Sequence, residues 1–318
     1  MNTFLKRVFY GKKKLRSGWR MLIFVIIFLL IEAVLMLAAP ASLSGRVGDE
    51  SMEWDTGYAI ANHFVMLLAL LVSSFLMLRY FDGRPFASLG YSFDSGWIID
   101  ALIGMGAGFV IISIICGIGS AGGFYAISFR AAETSVMVRS FFRYAILVFI
   151  YAAFEEVLFR GYLLQTLIDG IGKIAAISVL SALFGTIHYL NPNGSLPGVM
   201  NTGLAGAFLS IAYVRTRSLW LPTFIHFSWN FTLGYIFGFS VSGMQFKDTP
   251  MLVKIFGASF LSGGEFGPEG SIVTTVVLLI AIIFFVKLKC LQPSEAMNRR
   301  WEKYYREEEI SGSLTNSN

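Results

Sequence analysis

Eight apolar runs constrain this chain more than anything else in it: residues 21–39, 58–78, 97–119, 141–167, 174–190, 199–214, 219–239 and 272–286. An α-helix rises ~1.5 Å per residue, so about 20 apolar residues cross the ~30 Å hydrocarbon layer of a bilayer. Backbone amides find no water there, which leaves helices as the natural solution for runs of this length. The expected fold class is therefore all-α, a polytopic integral membrane protein of about eight transmembrane helices around a polar intramembrane cavity. Composition agrees: 55% of the 318 residues are hydrophobic and only 14% are charged, against roughly 25% charged in an ordinary soluble domain.

The basic residues give an orientation. With a cytoplasmic N-terminus, the inner segments hold Lys6, Arg7, Lys12, Lys13, Lys14, Arg16, Arg20, Arg79, Arg84, Lys173, Arg215, Arg217, Lys287, Lys289, Arg299, Arg300, Lys303 and Arg306, eighteen of the 25 Lys and Arg. The outer segments hold Arg46, Arg130, Arg139, Arg143, Lys247 and Lys254, and Arg160 stands apart inside a run. Positive charge is retained on the cytoplasmic side, so both termini are expected there, in the cell membrane if the source is prokaryotic. The same clustering beside apolar runs accounts for the net charge of +5 without nucleic acid as a partner. Membrane lipid is the expected surrounding.

The organisation that follows is a basic N-terminal segment 1–20, three helices within 21–140, a helical block 141–239, an outer loop 240–271, a last helix 272–291 and a cytoplasmic tail 292–318. The first run is too long for a signal-peptide core, so an uncleaved helix is expected despite the small residues of LAAPAS at 37–42. The apolar segment MLVKIFGASFL inside the outer loop is too short to span, which suggests an interfacial or re-entrant piece. Cys116 and Cys290 lie alone, with neither CxxC nor Cys/His spacing, so no disulfide or cysteine metal site is expected.

The chemistry sits in the block 141–239. A charge at the centre of a spanning helix costs ~2.5–3.5 kcal/mol on insertion scales, so Glu155, Glu156 and Arg160 need partners or a function. Glu156 and Arg160, four residues apart, share a face and can pair. Glu155 lies about 100° round the helix and needs a partner from elsewhere. His188 and His226 fall in two later runs of the same block, and Asn230 shares a face with His226. A carboxylate and two imidazoles can activate water for hydrolysis, with histidine and amide donors for an oxyanion. The same Glu155, His188 and His226 could instead hold zinc with an open water position, and the residues alone leave both readings open. No cofactor is committed to, and zinc stays a candidate.

Three motifs in order carry a resemblance: EExxxR over Glu155 to Arg160, FxxxH over Phe184 to His188, and HxxxN over His226 to Asn230. They resemble the CPBP family of intramembrane proteases, which includes the type II CAAX prenyl proteases and bacterial relatives linked to bacteriocin processing and self-immunity. The resemblance covers roughly residues 141–239. It implies an intramembrane endopeptidase, glutamic or metallo in type, acting on membrane-associated or lipidated peptides. It implies that Glu155 and His188 activate water, that His226 and Asn230 serve the oxyanion, and that Glu156 and Arg160 are supporting or structural. For prenylated chain ends it implies lateral access for the lipid and cytoplasmic access for the peptide. The rival readings are a non-catalytic binding or self-immunity protein and a proton-coupled transporter using Glu155 as a relay.

Counting residues from the inner helix ends puts Glu155 ~18 Å deep, His188 ~21 Å and His226 ~10 Å, so convergence requires a tilted helix or helix ends a few residues away from those assigned. Outside the motifs, His63 is expected to be packing glue, Glu32 to have an interhelical partner, and Asp100 to be interfacial. NPNG at 191–194 reads as a turn and GLAGA at 203–207 as a close-packing face.

Overall fold

The computed structural model describes residues 15–38, 56–93, 96–299 and 301–302. Their main helices are α1 (Ser17–Ala38), α2 (Thr56–Leu76), α3 (Trp97–Ala121), α4 (Thr134–Glu156), α5 (Leu164–Ile171), α6 (Lys173–Ile187), α7 (Leu196–Thr216), α8 (Trp220–Asn230) and α9 (Ile272–Lys287). This is an all-α polytopic architecture. Five stretches are long and apolar enough to cross a membrane, namely Ser17–Ala38, Gly57–Asp82, Trp97–Ala121, Thr134–Ile171 and Lys173–Leu190, and the apolar α9 is shorter. Helix α7 is longer than its apolar run because Ser195 caps its N-terminus, accepting from the Gly198 amide at 3.2 Å, and Pro197 sits in the first turn.

The bundle is apolar outside. Leu30, Leu102, Phe142, Ile280 and Phe284 are exposed, while Ser73, Ser74, Ser210, Thr223 and Ser228 are buried. A surface of this kind suits lipid, where burying apolar groups gains little and polar contacts and close packing hold helices together. Three helices pass into wider π-turns at Met77–Asp82, Val157–Leu163 and Phe231–Ile236. The second of these joins α4 to α5 and contains a break at Gly161, whose ψ of −115° is not helical.

The outer loop adds a local structure to the sequence expectation. Within MLVKIFGASFL, Met251–Ile255 forms β2, antiparallel to β1 (Tyr125–Phe129), with Tyr125 opposite Ile255 and Phe129 opposite Met251. Alternating apolar residues and Val, Ile and Phe suit a strand once a second strand is present to take the backbone bonds. The tail beyond residue 302, the start of the N-terminal segment and LAAPAS beyond Ala38 lie outside the described residues.

Glycines set the position of α8. Gly104 and Gly108 lie one turn apart on α3, and a Cβ on Gly108 would stand 2.5 Å from the Ile225 carbonyl oxygen and 2.8 Å from the Trp229 amide. Ser228 Oγ also donates to the Met105 carbonyl at 2.7 Å. Gly185 does the same between α6 and α7, where a Cβ would meet the Val199 carbonyl oxygen at 2.4 Å. Gly106 faces open space. Gly108→Val is therefore expected to destabilise the bundle by about 1–3 kcal/mol through overpacking, whereas Gly106→Val loses far less. Thermal unfolding of the two variants in detergent compares them directly.

Candidate active site

Four elements bring the charged residues together. The end of α4 carries Glu155 and Glu156, α6 ends at His188, α8 carries His226 and Asn230, and the π-turn after α4 carries Arg160. The depth mismatch expected from residue counting does not keep the three apart, since His188 and His226 both approach Glu155; the break at Gly161 accounts for the count to Glu155 alone.

Glu156 and Arg160 form the predicted pair, Oε1 to Nη1 at 2.8 Å, with side chains 0% and 1% exposed. The guanidinium is satisfied further: Nη2 donates to the Gly206 carbonyl at 2.9 Å and Nε to Ser210 Oγ at 3.3 Å. His226 Nδ1 lies 2.9 Å from the same Glu156 oxygen. A carboxylate fixes the tautomer, so Nδ1 carries a proton and Nε2 points the other way. It points at Glu155, whose Oε2 lies 3.8 Å away. His188 repeats the arrangement on the other side: its Nδ1 lies 2.7 Å from the Phe184 carbonyl, so it must donate, and its Nε2 is 4.0 Å from Glu155 Oε2. Both separations are too long for a direct hydrogen bond and fit one bridging water. No protein donor among the described residues reaches Glu155 Oε2.

These groups line a cavity of about 60 Å³, room for a few waters, with Asn230, Tyr151 and Asn201 also on its wall. Next to it, sharing Tyr151, Asn230, Val241 and Met244, lies a larger cleft of about 310 Å³. Glu156 and Arg160 are not on the wall of either.

The donor set was tested for zinc. Ligands at ~2.0–2.2 Å in a tetrahedron stand about 3.4 Å apart. Glu155 is 3.8 and 4.0 Å from the two imidazoles, and among the described residues no group of three His, Cys, Asp or Glu closes on a common ion. As arranged here the residues do not fit the ion.

Sequence reasoning missed Glu269. It arrives from the outer loop, lines the cavity, accepts from Trp229 Nε1 at 2.8 Å and from Ser242 Oγ at 3.0 Å, and also takes the Ser242 amide. Asn201 Nδ2 donates to its backbone carbonyl at 2.7 Å, fastening the loop to α7. The available signal was an acidic residue in the Gly- and Pro-rich run GGEFGPEGS. Of the remaining residues, His63 stacks on Tyr151 at 3.6 Å and bonds the Ala59 carbonyl at 3.0 Å, as expected of packing. Glu32 shows no side-chain hydrogen bond or ion pair among the described residues. Cys116 and Cys290 are both free, one buried and the other exposed.

Residues 137–232, which contain all three motifs, match the family model described as type II CAAX prenyl endopeptidase Rce1-like. This segment is similar to an Rce1-like domain. The match agrees with the CPBP resemblance of the motifs and supports a CAAX-protease-like intramembrane endopeptidase. With the apolar helices around it, the Rce1-like domain belongs to an integral membrane protein. No curated protein matches the chain at significant similarity.

Two predictions follow from the geometry. Arg160→Met strands the buried Glu156 carboxylate and is expected to cost about 3–5 kcal/mol, with Glu156→Gln in the same chain restoring part of the loss; chemical unfolding in detergent reads both. Burial raises the Glu269 carboxyl above its ordinary value of 4.5, against hydrogen bonds from Trp229 and Ser242 that lower it. The folded state then holds the proton longer than the unfolded chain, so the stability contributed by Glu269 is fully present below pH 4.5 and is lost as pH rises through the raised value. The thermal midpoint of Glu269→Gln should lose that slope relative to wild type.

Proposed function

We propose that the Rce1-like domain hydrolyses peptide bonds of membrane-associated polypeptides by a water activated by Glu155 and His188, with His226 and Asn230 serving the oxyanion. The observation that carries this reading is the convergence of His188 Nε2 and His226 Nε2 on one Glu155 oxygen at 4.0 and 3.8 Å, inside a cavity sized for water. Glu155 takes a proton from the water as its oxygen bonds to the scissile carbonyl carbon. His188, whose Nδ1–H is committed to the Phe184 carbonyl, offers its Nε2 lone pair to orient that water. The carbonyl π electrons move to oxygen, and Asn230 with His226 stabilises the oxyanion. For His226 to donate from Nε2 while Nδ1–H is held by Glu156, the ring carries both protons. Collapse of the intermediate breaks the C–N bond, and the proton held by Glu155 passes to the leaving amine.

Glu156 and Arg160 act through others. Sealed from the cavity, they fix the His226 ring and the approach of α7, which makes them positioning residues. This favours the structural role for the pair over substrate contact.

The test is mass-spectrometric detection of cleavage of a peptide panel, including farnesylated CAAX and leader-peptide sequences, by purified protein in detergent. Glu155→Gln, nearly isosteric, should keep the fold and lose about 10²–10⁴ in turnover. Asn230→Ala should lose about 10²–10³ in kcat with little change in KM. Chelator dialysis should leave turnover unchanged. Wild-type turnover in Glu155→Gln would sink the mechanism, and loss on chelation reversed by zinc would replace it with a metal-assisted one.

A further inference from the structure

Asn230 lines the water cavity, yet its own side chain makes no hydrogen bond among the described residues. Helix α8 also ends at this residue, and from Phe231 the chain runs on as the π-turn Phe231–Ile236. At such a junction the backbone bonds change from i→i+4 to i→i+5, so regular helix supports the residue on one side only. The direction in which Asn230 presents its amide therefore depends on contacts from other parts of the fold.

One such contact is a single residue away. Trp229 Nε1 donates to Glu269 Oε1 at 2.8 Å, while Glu269 Oε2 accepts from Ser242 Oγ at 3.0 Å and from the Ser242 amide. Trp229 stands just before the π-turn and Ser242 on the chain that returns from it, so one carboxylate closes residues 229–242 into a unit. Ser242 is held at a φ of 47°, a left-handed conformation that few residues other than glycine adopt. Glu269 is itself anchored away from α8. Asn201 Nδ2 on α7 donates to the carbonyls of Glu269 and Ser271 at 2.7 and 2.8 Å, and Thr275 Oγ1 on α9 donates to Asn201 Oδ1 at 2.6 Å. Thr274 Oγ1 adds a bond to the Pro268 carbonyl at 2.7 Å.

The chemistry of the clamp calls for an acid. Glu269 is 9% exposed, and its carboxylate meets three neutral donors and no cation among the described residues. Burial of a carboxyl group without a counter-ion is costly, so stability alone is a poor reason for it. A carboxylate offers acceptors on both oxygens, whereas an amide of the same length would turn a donor towards either Trp229 or the Ser242 amide.

We propose that Glu269 is a positioning residue for the oxyanion side of the site: acting through Trp229 and Ser242, it sets where the end of α8 presents Asn230 to the cavity. This rests on the protease reading above and extends the working parts of the site beyond residues 137–232, the segment that matches the family model.

Two measurements on the full chain in detergent test it, hydrogen–deuterium exchange read by mass spectrometry and steady-state cleavage of the peptide panel. Glu269→Gln and Trp229→Phe should each speed exchange of amides within 231–242 and leave α1 to α3 unchanged. Each should lower kcat about 10–100-fold with KM nearly constant. In an Asn230→Ala chain, adding Glu269→Gln should cost little further kcat, because the two residues act as one. That non-additivity is what a merely structural role would not produce. Unchanged exchange in both variants overturns the clamp. A kcat loss that multiplies in full onto that of Asn230→Ala, or an effect confined to KM, overturns the positioning role. If Glu269→Gln exchanges throughout, its fold has failed, and Trp229→Phe, which removes one N–H and keeps an aromatic ring, decides by the same criteria. Localised exchange with no cleavage by wild type overturns the protease reading and the catalytic half of the proposal, while the clamp on 229–242 stands.

Discussion

The carboxylate of Glu156 is the point on which the rest of the site depends. It is fully buried, so it must be paired, and its partners come from three places: Arg160 from the turn that follows it, His226 from α8, and, through Arg160, the Gly206 carbonyl and Ser210 of α7. A buried charge network of this kind adds little to stability compared with an apolar core, yet it is costly to leave half made. Its effect is to fix one arrangement of three helices. In that arrangement the second nitrogen of His226 has a single direction, towards Glu155.

Close helix packing makes the network reachable. Without a hydrophobic drive between helices in lipid, contact depends on small residues that let backbones approach. Gly104 and Gly108 allow α8 against α3, and Gly185 allows α7 against α6, which carries His188. The polar site therefore rests on glycines that never touch it. Glu269 closes the arrangement from the outer loop, and its bonds to Trp229 and Ser242 join that loop to the helix of His226 and Asn230.

The helices were legible because each obeys a local rule. Apolar runs of membrane length gave their order, although five stretches among the described residues are of spanning length and the run 141–167 divides into α4 and α5; other ends differ by a few residues where caps such as Ser195 extend them. The i, i+4 spacing of Glu156 and Arg160 fixed their pairing in advance. The strand β2 was not legible, since a five-residue apolar stretch becomes a strand only when β1, over a hundred residues earlier, supplies its partner. Glu269 was hidden for a related reason: an acid in a glycine-rich loop looks solvated until the loop folds back over a cavity.

The sequence by itself determined an all-helical membrane fold, the excess of basic residues at one end, and the identity of Glu155, His188, His226 and Asn230 as the residues to watch, because composition, periodicity and motif spacing are properties of neighbours along the chain. Only the tertiary structure decided that Glu155 stands between two imidazoles and that Glu156 orients one of them. Those facts depend on the break at Gly161, the glycine contacts and the folded outer loop, which act between segments distant in sequence. No local pattern encodes them.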